Sequence, residues 1–427
     1  MIIYTVKNGD TLYKIANAYG VTIEKLIADN QLTTPDSLTI GQDIVIDVNT
    51  LMHTVRRGET LYTISRAYDV PLSELIRANP QITNPNVINV GEVVNIPLPF
   101  KNYGDIEVNG YAIANISQSV LQQTLPYLTY LSIFSYQARE DGSLYVLYEQ
   151  NLINSARNMD VAPIMVVTNI GEGGGFDSDL AHTILTNEAV QTTFINNIVN
   201  ILQEKNYYGL DVDFEYIYPY DRQSYIQFLN RLKNTIAPLG YKLSVAVAPK
   251  YRDDQPGILY EAHDYRAIGE IADRVIIMTY EWGYVYGPPQ AISPYSEVRK
   301  VLTYATSVIP ANKILMGMPN YAYDWTLPYV MGSAATTLTN NRAVQLAIEK
   351  GAIIKFDRTA QAPYFNYVDD NGRNHVVWFD NARSTAARLQ LVPEFGLAGV
   401  SYWTINNFYK QNWIVLNSMF NIVKMLP

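Results

Sequence analysis

The chain has 427 residues, 48% of them hydrophobic and 17% charged, with a formal net charge of −9 and no cysteine. That length allows two or three domains and a large buried core. The acidic balance, with no stretch that gathers Lys and Arg, excludes a nucleic-acid binder, and the missing cysteines exclude disulfides, thiolate metal sites and a cysteine nucleophile. The opening segment, MIIYTVKNGD, has no basic start followed by an apolar stretch, so no secretory signal is expected. No apolar run reaches the roughly 18 residues that a membrane span needs. Tyrosine is abundant, at 34 residues. Aromatic rings stack on sugar C–H faces and phenols bond sugar oxygens, although any single tyrosine is more simply a core or surface residue.

The first elements in chain order form a repeat. Tyr4-Thr5-Val6 matches His53-Thr54-Val55, and Gly9-Asp10-Thr11-Leu12 matches Gly58-Glu59-Thr60-Leu61 at the same spacing. Ile15 then matches Ile64, Val21 matches Val70, Leu26 matches Leu75 and Asn30 matches Asn79, before one inserted residue moves Gly41 onto Gly91. Each copy reads as strand, helix, helix, strand. In the first copy residues 4–7 alternate as a strand, and Asp10 or Thr11 can cap a helix whose face is Leu12, Ile15, Ala16 and Tyr19. Residues 21–30 carry a second helix and 42–46 a closing strand. A unit this small has little core, which favours binding over catalysis. The pattern YTVKNGDTLYKIANAYGV…L…N…L…GQ…I resembles the LysM domain, a module that grips N-acetylglucosamine-containing glycans, and the second copy resembles it nearly as well. The resemblance assigns residues 1–48 and 51–98 to two βααβ domains. It implies a sugar groove between the first helix and the loop after the second, involving Gly9, Asp10, Thr11 and Leu12, and Gly58, Glu59, Thr60 and Leu61. The same residues also read as a plain turn and helix cap.

A linker is expected at 99–104, after Pro97 stops the last strand of the second repeat. From 105 to 427 strand-like runs alternate with helical patterns. The runs are 107–114, 130–136, 163–169, 209–215, 242–248, 274–280, 314–321 and 399–404. Helical segments include 189–204, 225–237 and 296–307. Eight strands with helical crossovers suit an α/β fold, a closed (β/α)8 TIM barrel; an open doubly wound sheet has the same alternation, but no dinucleotide glycine fingerprint opens it. The stretch 327–376 is too long for one crossover and predicts a small insertion near the active-site rim.

The chemistry concentrates in Tyr208-Gly209-Leu210-Asp211-Val212-Asp213-Phe214-Glu215. Strand alternation sends Leu210, Val212 and Phe214 toward the helices and Asp211, Asp213 and Glu215 into the barrel, about 6.6 Å between neighbours on a face. Buried acids repel one another and lose hydration, which raises at least one pKa. Glu215, at the C-terminal end of the run, is placed where barrel enzymes carry their catalysts, and a carboxyl kept protonated there can act as a general acid. A hard divalent cation is the alternative reading of three carboxylates, although none of the four histidines falls near them.

This strand resembles the DGxDxDxE signature of family 18 glycoside hydrolases, the chitinase-like family, and the likeness extends over the barrel. Met278-Thr279-Tyr280-Glu281 resembles its M-x-Y-D motif, Met318-Pro319-Asn320-Tyr321 its seventh-strand motif, and Trp403 and Tyr111 its sugar-pocket aromatics. Two positions depart: Tyr208 stands for the first Asp of the signature and Glu281 for the Asp of M-x-Y-D. The resemblance implies retaining, substrate-assisted hydrolysis with Glu215, Asp213, Asp211 and Tyr280 as catalytic residues, and Tyr111, Met278, Glu281, Tyr321 and Trp403 around the substrate. It implies no cofactor and no metal. Two LysM repeats before such a barrel resemble the cortex-lytic N-acetylglucosaminidases of bacterial spores. That architecture implies peptidoglycan as the ligand, spore coat proteins as neighbours, and a spore or cell-wall location. The competing expectations are a catalytically inactive glycan-binding coat or wall protein, and a chitinase acting on chitin oligomers.

Overall fold

The computed structural model describes residues 1–98 and 103–426, so residues 99–102 of the expected linker lie outside the described residues. The first repeat is strand β1 (Ile2–Thr5), helices α1 (Leu12–Tyr19) and α2 (Ile23–Asn30), and strand β2 (Asp43–Ile46), with β1 and β2 antiparallel. Capping sets where the helices start: the Thr11 side chain accepts the Lys14 N–H and the Thr22 side chain accepts the Lys25 N–H. Leu12, Ile15, Leu26, Ile44 and Ile46 form its small core. The second repeat repeats the plan with β3 (Thr50–Thr54), α3 (Leu61–Ala67), α4 (Leu72–Arg77) and β4 (Val93–Pro97), around Val55, Leu61, Ile64, Leu75, Val94 and Ile96. Thr60 caps α3 in a box closed by Thr63.

Seven parallel strands follow: β5 (Asp105–Ile113), β6 (Tyr130–Gln137), β7 (Ala162–Thr168), β8 (Gly209–Asp213), β9 (Lys242–Val247), β10 (Arg274–Ile277) and β11 (Ile314–Pro319). An insertion then supplies β12 (Ala322–Leu327), β13 (Thr336–Leu338), β14 (Lys355–Asp357), β15 (Ala362–Val368) and β16 (Asn374–Trp378). The eighth parallel strand, β17 (Gly399–Trp403), pairs with both β11 and β5 and closes the barrel. A short strand, β18 (Asn421–Ile422), adds to β5. The crossover helices are α5 (Gln118–Thr124), α6 (Gln150–Arg157), α7 (Ser178–Thr186), α8 (Glu188–Lys205), α9 (Arg222–Ile236), α10 (Tyr265–Ile271) and α11 (Tyr295–Val308). They are followed by α12 (Asn340–Glu349) within the insertion, then α13 (Ala382–Leu389), α14 (Leu391–Phe395) and α15 (Lys410–Met419).

The fold is thus a (β/α)8 barrel preceded by two βααβ units. The strand-to-helix interface holds Leu210, Val212 and Phe214, the last stacked on Phe228 and Tyr225. The barrel interior carries a layer of Tyr111, Val166, Ala246, Ile276 and Leu315. The insertion is an antiparallel five-stranded sheet in the order β13-β12-β16-β15-β14, with α12 packed over Ala322, Phe365 and Val377. It begins at Ala322 and ends at Trp378, wider than the expected 327–376, because β12 starts almost directly after β11. Strand β8 stops at Asp213, two residues short of the expected run, so Glu215 sits on the loop beyond it.

The first repeat packs against α13, α15 and the insertion. Arg383 meets the buried Asp43 carboxylate at 2.9 Å, and Lys410 meets Asp29 at 2.9 Å. Among the described residues, no helix is long and apolar enough to cross a membrane.

Candidate active site

The ends of β5, β8 and β17 and the loops after β8 and β10 surround a cavity of about 290 Å³ at the C-terminal end of the barrel strands. Its walls include Tyr111, Phe134, Asp213, Glu215, Met278, Tyr280, Glu281 and Trp403. The indole of Trp403 is set edge-on by Phe134 at 4.8 Å and Tyr111 at 5.4 Å between ring centroids. A second cavity opens at the opposite end of the barrel among Tyr208, Arg274 and Met425. It lacks the three acids of the signature strand, and active sites of this fold lie at the other end.

The three acids differ in environment. Asp211 is fully buried and lies outside the cavity wall: one of its oxygens accepts the Tyr111 phenol at 2.6 Å and the other the Ser244 hydroxyl at 2.6 Å. Burial pushes its carboxyl up to about 6 against the pull of those two donors. Asp213 is also buried, and one of its oxygens, Oδ1, has no hydrogen-bond partner. Burial first, then the charges of Glu215 and Asp211, hold its carboxyl well above the ordinary range. No hydrogen bond joins Asp211 to Asp213, so Asp211 acts on its neighbour through charge. Glu215 is pushed up to about 7, mainly by burial and secondarily by Glu281. A group poised there is protonated often enough to donate and basic enough to take a proton back.

The main chain at Glu215 is fixed from two sides. Asn169, buried after β7, accepts the Glu215 N–H at 3.0 Å through Oδ1 and donates to the Glu215 carbonyl at 2.9 Å through Nδ2. His263 accepts the Ala248 N–H at Nδ1, which leaves the proton on Nε2 to donate to the Phe214 carbonyl at 3.0 Å. Burial lowers this imidazole to about 4, so it stays neutral. Tyr216 and Glu281, which flank the cavity, have positive φ of 54° and 67°. Left-handed backbone at non-glycine residues is held by its surroundings and recurs at functional sites.

The structure therefore brings together Asp213, Glu215, Tyr280, Met278, Glu281, Trp403 and Tyr111. Tyr111 is 2% exposed and engages Asp211, which makes it a support for the acid as much as a wall. Tyr321 is not on the wall: its phenol donates to Glu281, as does that of Tyr323 at 3.0 Å, and burial still raises the Glu281 carboxyl. Tyr208 lies at the start of β8, its ring 6.2 Å from that of Tyr130, at the end of the barrel away from the acids. That departure from the signature therefore alters packing beneath the barrel. Ser244, Asn169, His263, Phe134 and Tyr323 were not singled out by sequence. Ser244, Phe134 and Tyr323 are within reach of strand alternation, Ser244 sharing a face with Ala246, Phe134 with Ser132 and Tyr323 with Tyr321; Asn169 and His263 carry no periodic signal.

In the repeats, Gly9 and Gly58 make the turns, with φ of 81° and 88°. Asp10 accepts the Lys7 N–H and the Tyr4 phenol, both at 2.7 Å, and Glu59 accepts the Arg56 N–H at 2.7 Å and bonds His53 at 2.8 Å. The side chains of Leu12 and Leu61 are 5% and 1% exposed and belong to the repeat cores. A unit this small depends on such side chains being turned inward.

Comparison with known proteins agrees with this geometry. The family model described as glycosyl hydrolases family 18 matches residues 110–407, and the LysM domain model matches 4–47 and 53–97. The chain is 43% identical to the cortical fragment-lytic enzyme of Bacillus subtilis (strain 168), over 99% of both chains. It superposes on the crystal structure of the spore cortex-lytic enzyme SleL of Bacillus megaterium QM B1551 with a TM-score of 0.91, at 40% identity and 99% coverage of each. A chitinase from Chromobacterium violaceum ATCC 12472 is 26% identical over 73% of this chain and 98% of its own, with a TM-score of 0.68.

Proposed function

The chain belongs to glycosyl hydrolases family 18 and is a glycoside hydrolase, and from that premise we propose that it cleaves N-acetylglucosamine linkages of spore-cortex peptidoglycan with retention of configuration. The observation that carries this reading is the juxtaposition of a carboxyl near neutrality, Glu215, with the unpartnered oxygen of Asp213, in a cavity walled by Tyr280 and Trp403. Glu215 donates its proton to the glycosidic oxygen. The acetamido oxygen of the same sugar attacks the anomeric carbon, the leaving sugar departs, and an oxazolinium forms, a route by which enzymes of this family dispense with a carboxylate nucleophile. Asp213 Oδ1 accepts the acetamido N–H and balances the new positive charge. Tyr280 donates to the acetamido oxygen and aligns it, and Trp403 lies under the ring. Water then attacks from the side the leaving group vacated, with Glu215 taking its proton. Asp211, fixed by the Tyr111 and Ser244 bonds, acts on Asp213 through its charge.

The repeats supply glycan binding, and together with the cortex-lytic relatives they support a spore or cell-wall location, where spore coat proteins are the chain's neighbours. The test is digestion of purified cortex fragments and of chitin side by side, with masses of the products. New reducing ends at N-acetylglucosamine from cortex fragments are expected, and Glu215→Gln lowers their release by at least about a hundredfold. Turnover of chitin alone points to a chitinase, and undiminished turnover in the variant removes Glu215 from its role.

A further inference from the structure

We propose that the two repeats divide their work: the second grips glycan, and the first is a docking element that anchors the pair to the barrel. This rests on the reading of the repeats as glycan-binding modules. The segment after α2, one wall of the groove expected in each repeat, is already engaged in the first. Gln31 donates to the Phe408 carbonyl at 3.1 Å and accepts the Lys410 N–H at 2.7 Å. Thr33 donates to Gln345 at 2.6 Å, and Thr39 to the Ala352 carbonyl at 2.6 Å. The Ile354 N–H donates to the Ile40 carbonyl at 2.9 Å. Gly41 fits so closely that a Cβ there would lie 1.8 Å from the Ile354 carbonyl oxygen. A sugar drawing this wall inward would have to break bonds that are already made.

The second repeat lacks the charged docking residues, and where it keeps the same residue types, Gln81 and Thr83, they do not reach the barrel. Asp29 and Asp43, which hold Lys410 and Arg383, are matched by Ala78 and Val93. Gln81, the match of Gln31, donates to Asn79 of its own repeat at 3.0 Å. A Cβ on Gly91 would meet nothing within 4 Å. Among the described residues, no hydrogen bond or ion pair joins 50–97 to the barrel. The segment after α4 exposes Val87 and Val90, and the first turn of α3 exposes Tyr62, apolar surface of the kind a sugar's C–H faces cover. Phe408 follows β17, so the first repeat is held at the end of the barrel that carries the active site.

The test uses the full chain with Glu215→Gln to prevent turnover, and a matched pair of exposed tyrosines, Tyr13 and Tyr62, 65% and 61% exposed. Co-sedimentation with purified insoluble cortex peptidoglycan is expected to weaken about tenfold for Tyr62→Ala and to change less than about twofold for Tyr13→Ala. Amide hydrogen exchange with a soluble hexamer of N-acetylglucosamine is expected to slow over 58–62 and 81–90 and to stay unchanged over 9–13 and 31–40. Protection confined to the second repeat supports the division even where the tyrosine is not itself a contact. Equal losses in the two tyrosine variants, or protection of the first repeat, overturn it while leaving glycan binding by the repeats intact. If the unaltered chain does not sediment with peptidoglycan, the reading of the repeats as glycan modules fails, and the division falls with it.

Discussion

Glu215 and Glu281 both line the cavity, and the second acts on the first through charge. Burial is the larger cause of the elevation of Glu215 and Glu281 the lesser. Replacing Glu281 by Gln keeps an oxygen to accept the Tyr321 and Tyr323 phenols and removes the charge. The like charge that disfavoured ionisation of Glu215 is then gone, so its pKa falls. As Glu215 must be protonated to donate, the alkaline limb of kcat/KM is expected to move to lower pH, and an unmoved limb in a pH–rate profile would count against the coupling. A second consequence concerns stability. The carboxyls of Asp211, Asp213 and Glu215 are all held above their ordinary values, to about 6 for Asp211 and about 7 for Glu215. Each therefore favours the folded chain fully below the ordinary carboxyl range, near pH 4, and that contribution is lost as pH rises through the folded values. Asp213→Asn has no such loss. Its melting temperature should gain on the parent as pH rises above the ordinary carboxyl range, while its activity falls, a trade common where a site is built on buried charge. These three acids are legible in the sequence because a period of two is local. Asn169 and His263 are not, because each meets the acid strand across a long sequence separation and resembles any other polar residue.

The ends of β7, β8 and β9 are tied together where the acid leaves its strand. Since β8 stops at Asp213, Glu215 owes its position to Asn169, which grips both its N–H and its carbonyl, and to His263, which bridges Phe214 and Ala248. Asn169→Ala strips both partners from a partly buried peptide unit, at a stability cost of about 1–3 kcal/mol. A general acid displaced by about 1 Å can lose a hundredfold in rate. The variant is expected to lose kcat by about tenfold to a hundredfold with KM little changed, and Asn169→Gln, with the same amide on a longer stem, to recover only part of it. Steady-state kinetics on cortex fragments checks this, and an unchanged kcat would reduce Asn169 to a packing residue. At this scale the alternation of strands and helices was readable because barrel strands are apolar runs bounded by turns. The same signal overshot the strand end at β8, since side-chain alternation persists for two residues after β pairing stops. The insertion was visible only as excess length. Its five-stranded sheet folds on a separate core around Phe365, and nothing in the neighbouring barrel pattern announces where that core begins.

Across the whole molecule, the junction between the first repeat and the barrel converts a small domain into part of a larger one. A unit with so little core gains from burying Asp29, Asn30 and Asp43 against α13 and α15, and these polar residues pass for ordinary surface when the repeat is read alone. Arg383 is the main partner of Asp43, whose side chain is fully buried. Removing one member of such a pair leaves a charge without compensation, so Arg383→Ala is expected to destabilise the joint by about 3 kcal/mol. A cleaner comparison comes from the two matched glycines. Gly41 and Gly91 have nearly the same left-handed backbone, φ 86° and 89°, so alanine at either carries the same local strain, about 1–2 kcal/mol. They differ in what the new methyl meets: the Ile354 carbonyl in the first case, open space in the second. Gly91→Ala should therefore lower the stability of its own repeat alone. Gly41→Ala should in addition pry the first repeat from the insertion, raising protease sensitivity and amide exchange around 31–43 and 352–354 together. Equal behaviour of the two variants in limited proteolysis would show that the joint does not hold in solution.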